Sequence, residues 1–242
     1  MKVPRYSVVI PAYNEAEYLP CLLDSVDCAR ERFELGPDAV EVVVADNGST
    51  DATAAIAAAR GCKVAPVANR AIAAARNGGA AAADGEILCF VDADTRIHPD
   101  TFNAVESRMV TGEYGGGAVG WHMERRSLGL ILTTLVARFL TWLAGANGVF
   151  VYCRREIFDE IGGYNEEKRF AEDVEFFRAM RKASKKRGLK IVWKTGTPAV
   201  VSARKFDRHG DWHMLYMWLW ILKNRSLNKT VDNYWYNDSE RF

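Results

Sequence analysis

Apolar residues fall along this chain in short runs and helical stripes that alternate. Residues 6–10 (Tyr-Ser-Val-Val-Ile) form a strand-like run that Pro11 ends; 40–45 form a second, 63–67 a brief third, and 87–91 (Ile-Leu-Cys-Phe-Val) a fourth. The stretches between them have a different period. Leu19, Leu22, Leu23 and Val26 recur at helical spacing within 14–28, and alanine-rich segments run to Arg60 and over 72–83. A continuous apolar run rich in β-formers reads as a strand buried on both faces. Strand, helix, strand, helix, strand, helix, strand predicts a parallel sheet with helices on both faces and right-handed crossovers. Ser49 or Thr50 is the expected cap of the second helix. Gly78 and Gly79 give the third helix a small face that can lie close on a sheet or a ligand.

Beyond residue 98 the pattern is less regular. Helices are expected over 99–110, 127–143, 156–161 and 170–186, and strands over 147–153, 190–193 and 199–201. Residues 115–120 fit GxGxxG by spacing. No strand precedes them and no obvious helix follows, so a flexible or closely packed glycine turn is expected in place of a dinucleotide fingerprint. Residues 202–210 read as a basic loop. No linker suggests a separable second domain, so the expectation is one domain with two halves, 1–97 and 98–210, and an aromatic extension at 211–242.

Three predicted strand ends carry polar clusters: 11–15, 46–51 and 92–95. In a parallel sheet all three lie on one edge, outside the carboxyl ends of the strands, where open α/β sheets bind ligands. Asp92 and Asp94 are one residue apart. In extended geometry they point the same way and can share one divalent cation. Oxygen ligands suit Mg²⁺ or Mn²⁺, which bridge to substrate phosphates. Taken alone, an Asp-Ala-Asp also fits a solvated turn; the convergence of three clusters separates the two readings.

Composition narrows the class. The 242 residues are 49% hydrophobic and 26% charged, with a formal net charge of +1, so no overall charge favours nucleic acid. Five scattered cysteines show no metal-ligand spacing and fit buried, reduced thiols. With a strand-like run already at Tyr6, no signal peptide is read, and a cytoplasmic setting is expected. The apolar stretches 128–137 and 215–222 are too short to span a bilayer. Trp212, Tyr216, Trp218 and Trp220 crowd one segment ahead of Lys223 and Arg225. Residues 212–225 are therefore a candidate peripheral contact with the inner face of a membrane, a homodimer contact, or a helix packed on the core.

The order Val8-Val9-Ile10-Pro11-Ala12-Tyr13-Asn14-Glu15, Asp46-Asn47-Gly48-Ser49-Thr50-Asp51, Ala75-Arg76-Asn77-Gly78, Val91-Asp92-Ala93-Asp94, Gly162-Gly163-Tyr164 and Glu172-Asp173 resembles the family 2 glycosyltransferases of GT-A fold over about residues 6–210. The resemblance implies a Rossmann-like, mostly parallel sheet with helices on both faces. It implies a nucleotide-binding first half and an acceptor-binding, catalytic second half. The implied reaction is inverting transfer of a sugar from a nucleotide-diphospho-sugar, UDP favoured and GDP open, to a hydroxyl of a carbohydrate, lipid-linked or small-molecule acceptor. Mn²⁺ or Mg²⁺ is the implied cofactor, on Asp94 with Asp92 toward the ribose or the metal, and His209 as a further ligand or diphosphate contact. Pro11, Ala12, Tyr13, Glu15, Asp46, Asn47 and Arg76 are the nucleotide-binding candidates. Asp173 is the candidate general base, with Glu172 as the neighbour that can exchange roles with it. Arg204 and Arg208 are alternative phosphate clamps, and Trp121 an acceptor contact. The Gln-x-x-Arg-Trp element of processive synthases is absent, which implies a single transfer. A nucleotidyltransferase would want a glycine-rich basic loop after the first strand, and 11–15 has neither glycine nor lysine. A non-catalytic nucleotide-sugar-binding protein is the remaining alternative.

Overall fold

The structure is a computed structural model and describes residues 3–146, 149–168 and 171–216. The first half is built as its pattern predicts. β1 (Tyr6–Ala12), β2 (Val40–Asp46), β3 (Lys63–Pro66) and β4 (Ile87–Val91) alternate with α1 (Leu19–Glu31), α2 (Thr53–Ala59) and α3 (Ile72–Ala82). β1 pairs in parallel with both β2 and β4, and β2 with β3. The chain steps outward from β1 to β3, then crosses back to place β4 on the other side of β1. The crevice between β1 and β4 is thus the point where strand order reverses, the position at which such sheets receive ligands.

Both faces of this sheet are buried because its strands alternate. Val8, Ile10, Ile87, Cys89 and Val91 join one core with α1. Val9, Val43, Leu88 and Phe90 point into a second core on the opposite face. α3 lies tight on that second face: a Cβ at Gly79 would sit 2.5 Å from the Val9 side chain. The close approach expected of the small-residue helix is made to the sheet. The cap is different from expectation. α2 has no side-chain cap at its N-cap, Ala52. Ser49 and Thr50 instead bond Asn14, tying the loop after β2 to the loop after β1.

The second half adds β5 (Thr95–Arg96), α4 (Thr101–Met109), β6 (Tyr114–Met123), α5 (Leu128–Ala144), β7 (Phe150–Arg154), α6 (Arg155–Ile161), α7 (Glu172–Lys186), β8 (Lys190–Val201) and α8 (Arg204–His209). The sheet order is β3-β2-β1-β4-β7-β6-β8-β5. β7 runs antiparallel to β4 and β6, β6 parallel to β8, and β5 antiparallel to β8. Three expectations are corrected here. Residues 115–120 lie inside β6 and are not a turn. Their glycines are required by packing: a Cβ at Gly117 would lie 2.5 Å from the Val192 carbonyl on β8. The stretches 190–193 and 199–201 belong to one strand. The basic loop contains α8. The start of the strand expected at 147–153, the first residue of the helix expected at 170–186, and most of the 211–242 extension lie outside the described residues.

The register of the edge strand fixes the site. Thr95 pairs with Val201, so the turn carrying Asp92 and Asp94 ends beside the end of β8. Arg204 follows three residues later.

Candidate active site

Asp92 and Asp94 are not extended. Thr95 N–H donates to the Asp92 carbonyl at 3.0 Å, closing a tight turn directly after β4. The alternating geometry expected of the pair is corrected accordingly. The two carboxylates are engaged by different arginines.

Asp92, half-buried itself, meets a buried cluster on the α3 side. Arg76, on α3 and 8% exposed, donates from Nη2 to Asp92 Oδ1 at 3.0 Å and from Nη1 to Glu172 Oε1 at 2.9 Å. Its guanidinium lies 5.1 Å from the centroid of Tyr164, whose ring stacks on Phe176 at 4.0 Å. Asn77, one residue on, holds the Tyr164 backbone from both sides, accepting from its N–H and donating to its carbonyl at 2.8 Å each. Burial alone would push Arg76 down; Asp92, Tyr164 and Glu172 reverse this and hold it above its ordinary value. Burial raises the Glu172 carboxyl, which Arg76 opposes and Asp173 reinforces. Among the described residues, Arg76 Nε is buried without a hydrogen-bond partner.

Glu172 and Asp173 open α7. The residue before them, Ala171, is left-handed at φ 56°, an uncommon conformation for a residue with a Cβ. Glu172 turns inward to Arg76, and Asp173 is exposed. The acidic pair therefore divides: one carboxylate is committed to an ion pair and the other is open to an incoming molecule.

Asp94 belongs to a second cluster on the α8 side. Arg204 Nε lies 2.9 Å from Asp94 Oδ2. The other two guanidinium nitrogens form a fork on Glu15, at 2.6 and 2.7 Å, and Tyr18 lies beneath the group at 4.5 Å. Burial raises the Asp94 carboxyl and Arg204 pulls it back. A positive group thus already sits on the carboxylate assigned to a cation. The donor set suits a hard divalent ion in chemistry. Among the described residues, however, no group of three or more His, Cys, Asp or Glu side chains is placed to hold one. Asp94 and Asp92 would supply two oxygen ligands, with substrate oxygens and water left to complete the shell. His209 does not join them as a third; it stacks on His213 at 4.8 Å.

The remaining candidates separate as follows. Pro11, Ala12 and Asp46 end β1 and β2 at the same edge, and Asp46 accepts from Ser49 N–H at 3.1 Å. Tyr13 carries the Arg70 guanidinium 4.0 Å above its ring. Asn47 is buried, its amide donating to the carbonyls of Val67 and Asn69 at 3.0 and 2.6 Å, so that group serves the loop after β3. Arg208 lies exposed on α8. Trp121, at the end of β6, stacks under Arg138 at 5.1 Å. Sequence reasoning passed over Asn14, Tyr18, Arg70, Asn77 and Tyr164 as individuals. Asn77 and Tyr164 stood inside quoted motifs, but their mutual hydrogen bonds are long-range and leave no local pattern.

The model of glycosyl transferase family 2 matches residues 7–210. The chain belongs to this family. Its curated relatives include EpsH of Bacillus subtilis, 32% identical over 105 residues, and ExoO of Rhizobium meliloti, a succinoglycan biosynthesis protein, 36% identical over 111 residues. These matches cover 41% and 44% of this chain and only 29% and 30% of the relatives. Among solved structures, the mannosyltransferase PcManGT of Pyrobaculum calidifontis, in complex with GDP-Man and Mn²⁺, superposes with a TM-score of 0.63 at 21% identity, over 94% of this chain and 66% of that one. S. aureus TarS with UDP gives 0.61 at 21%, over 95% and 69%. At that identity the likeness shows the fold, which is GT-A.

Proposed function

We propose that this family 2 chain transfers one sugar from a nucleotide-diphospho-sugar to an acceptor hydroxyl, inverting the anomeric centre. The observation that carries the reading is the division of acids at the switch point: Glu172 is locked to Arg76, while its neighbour Asp173 is exposed at the head of the same helix. Asp173 is the general base, within reach of an acceptor hydroxyl in the bound complex. Arg76 and Glu172 fix the wall from which it projects. Tyr13 and Asp46 meet the nucleoside, and Asp92 the ribose. Bound Mn²⁺ or Mg²⁺ supplies Lewis-acid neutralisation of the departing diphosphate, and Asp94 and Asp92 are the residues that would hold it. Arg204 is the phosphate clamp. The neighbours solved with UDP-GlcNAc and with GDP-Man support a nucleotide-sugar donor and leave the base open.

The test is a thermal-shift panel of UDP, GDP and their sugars, with Mn²⁺ or with EDTA, joined to transfer assays on Asp173→Asn. Nucleotide should raise Tm only with the cation. Asp173→Asn should keep that shift and lose roughly 10²–10⁴-fold in transfer. Equal stabilisation in EDTA removes the metal from the reading; near-normal transfer by the variant removes the base.

A further inference from the structure

α5 carries its apolar stripe outward. Leu128, Leu132, Leu135, Phe139 and Trp142 follow one another at spacings of three or four, with Leu143 beside the last, so they share one face. That face is exposed: Leu128 by 80%, Phe139 by 58% and Trp142 by 64%. The residues turned toward the protein are Gly129, Leu130 and Thr133. A surface helix ordinarily does the reverse, and a contiguous outward apolar face of this kind marks an interaction site. The segment after α8 extends it. Arg125 holds Asp211 with two bonds of 2.6 and 3.1 Å, and Asp211 packs against Gly129 at the start of α5. This brings the exposed Trp212 and Tyr216 alongside.

The rim is basic. No aspartate or glutamate occurs between Glu124 and Glu156, whereas Arg126 and Arg138 are exposed there. At the far end of the helix α7 supplies exposed Arg178, bonded to the Ala144 carbonyl, and Arg181, close to Gly145. An apolar stripe bearing aromatic rings and edged by arginines complements a bilayer with anionic headgroups. A second copy docked through the same face would oppose the same arginines across an isologous contact. With 17 residues, α5 suits lying in the interface plane; among the described residues no helix is long and apolar enough to cross a membrane.

We propose that α5, with Trp212 and Tyr216, docks this chain on an anionic lipid bilayer. α5 is tied at one end to the segment that follows α8, the helix that carries Arg204, and at the other to α7, which carries Glu172. Docking therefore presents the candidate site to an acceptor held in the lipid phase, a consequence that rests on the proposed transfer; the docking itself does not.

Flotation of the full chain with vesicles tests it, without donor or cation. The chain should float with phosphatidylcholine mixed with phosphatidylglycerol, weakly with phosphatidylcholine alone, and less as NaCl rises. Leu135→Glu with Phe139→Glu should lower the bound fraction by about tenfold or more with an unchanged Tm, since both positions are exposed. Trp142→Ser is the second variant and should weaken binding less. Absence of flotation overturns the proposal. So does flotation that the double variant leaves intact while its Tm falls, which would mean that the stripe is packed within the protein. A wild-type dimer that the double variant dissociates, without vesicle binding, assigns the face to a second copy.

Discussion

The two arginines at the carboxyl edge do the same chemistry in different settings. Each neutralises one aspartate of the 92–95 turn and one glutamate from elsewhere. Arg76 sits on α3, an eleven-residue helix pressed on the sheet, against Tyr164, whose ring is packed in turn among Phe90, Phe158 and Phe176. Arg204 sits on α8, six residues long and with no buried residue. The first pairing is built into the core. The second is held mainly by its own fork on Glu15 and by Tyr18. The difference teaches which parts of the site are wall and which can yield: Arg76 and Glu172 are set on folding, while Asp94 is neutralised by a group on a lightly anchored element.

Replacing Arg76 breaks this comparison hardest. Arg76→Ala leaves Glu172 buried with no counter-charge and empties the space above Tyr164. Breaking one partner of a buried pair costs about 3–5 kcal/mol, so urea unfolding should show a loss of that size and activity should vanish with it. Arg76→Lys should recover only part, because a single ammonium cannot serve both Asp92 and Glu172 with the planar fork. A loss below about 1 kcal/mol would show that the cluster is not a structural unit.

Arg204→Ala should cost less, about 1–2 kcal/mol, since the guanidinium is itself partly exposed, on a short helix with no buried residue. Its informative effect is on ligands. Arg204 and a cation compete for Asp94, so Mn²⁺ alone should bind the variant more tightly by calorimetry. Nucleoside diphosphate with Mn²⁺ should bind it more weakly, because the fork proposed as the phosphate clamp is lost. Both affinities moving together would mean that Arg204 serves only one of these roles.

How much of this was legible in sequence follows from the range of the interactions. The parallel sheet announced itself because each strand is a local apolar run and each helix a local period. The same holds for Asp92, Asp94, Glu172 and Asp173, whose positions at a strand end and a helix start are local facts. The turn at Asp92 was misjudged because extended geometry was carried one residue too far past Val91. β6 was missed because Gly115, Gly116 and Gly117 carry no β-propensity; close approach of β7, β8 and α7 demands them, and no local pattern shows a neighbour's backbone. The Arg204–Glu15 fork joins residues 189 positions apart, and α5 was read as a helix whose outward face only the packed structure reveals.

The smallest effect isolates the wall from the base. Burial raises the Glu172 carboxyl above the ordinary glutamate value of 4.5. The folded chain then binds that proton more tightly than the unfolded one, so the stability it confers is complete below about pH 4.5 and is lost as pH rises through the raised value. Glu172→Gln lacks this titration. Whatever the constant cost of weakening the Arg76 bond, the stability of the variant relative to wild type should improve between pH 4.5 and neutrality. Chemical denaturation across that window reads the slope directly. A flat difference would mean that Arg76 fully offsets the burial of Glu172, making the α3-side cluster electrostatically neutral in stability; a difference of opposite slope would mean that the ion pair outweighs burial and depresses the carboxyl. In either of those cases Glu172 would be an ordinary anion of the wall, and the contrast with Asp173 would rest on geometry alone.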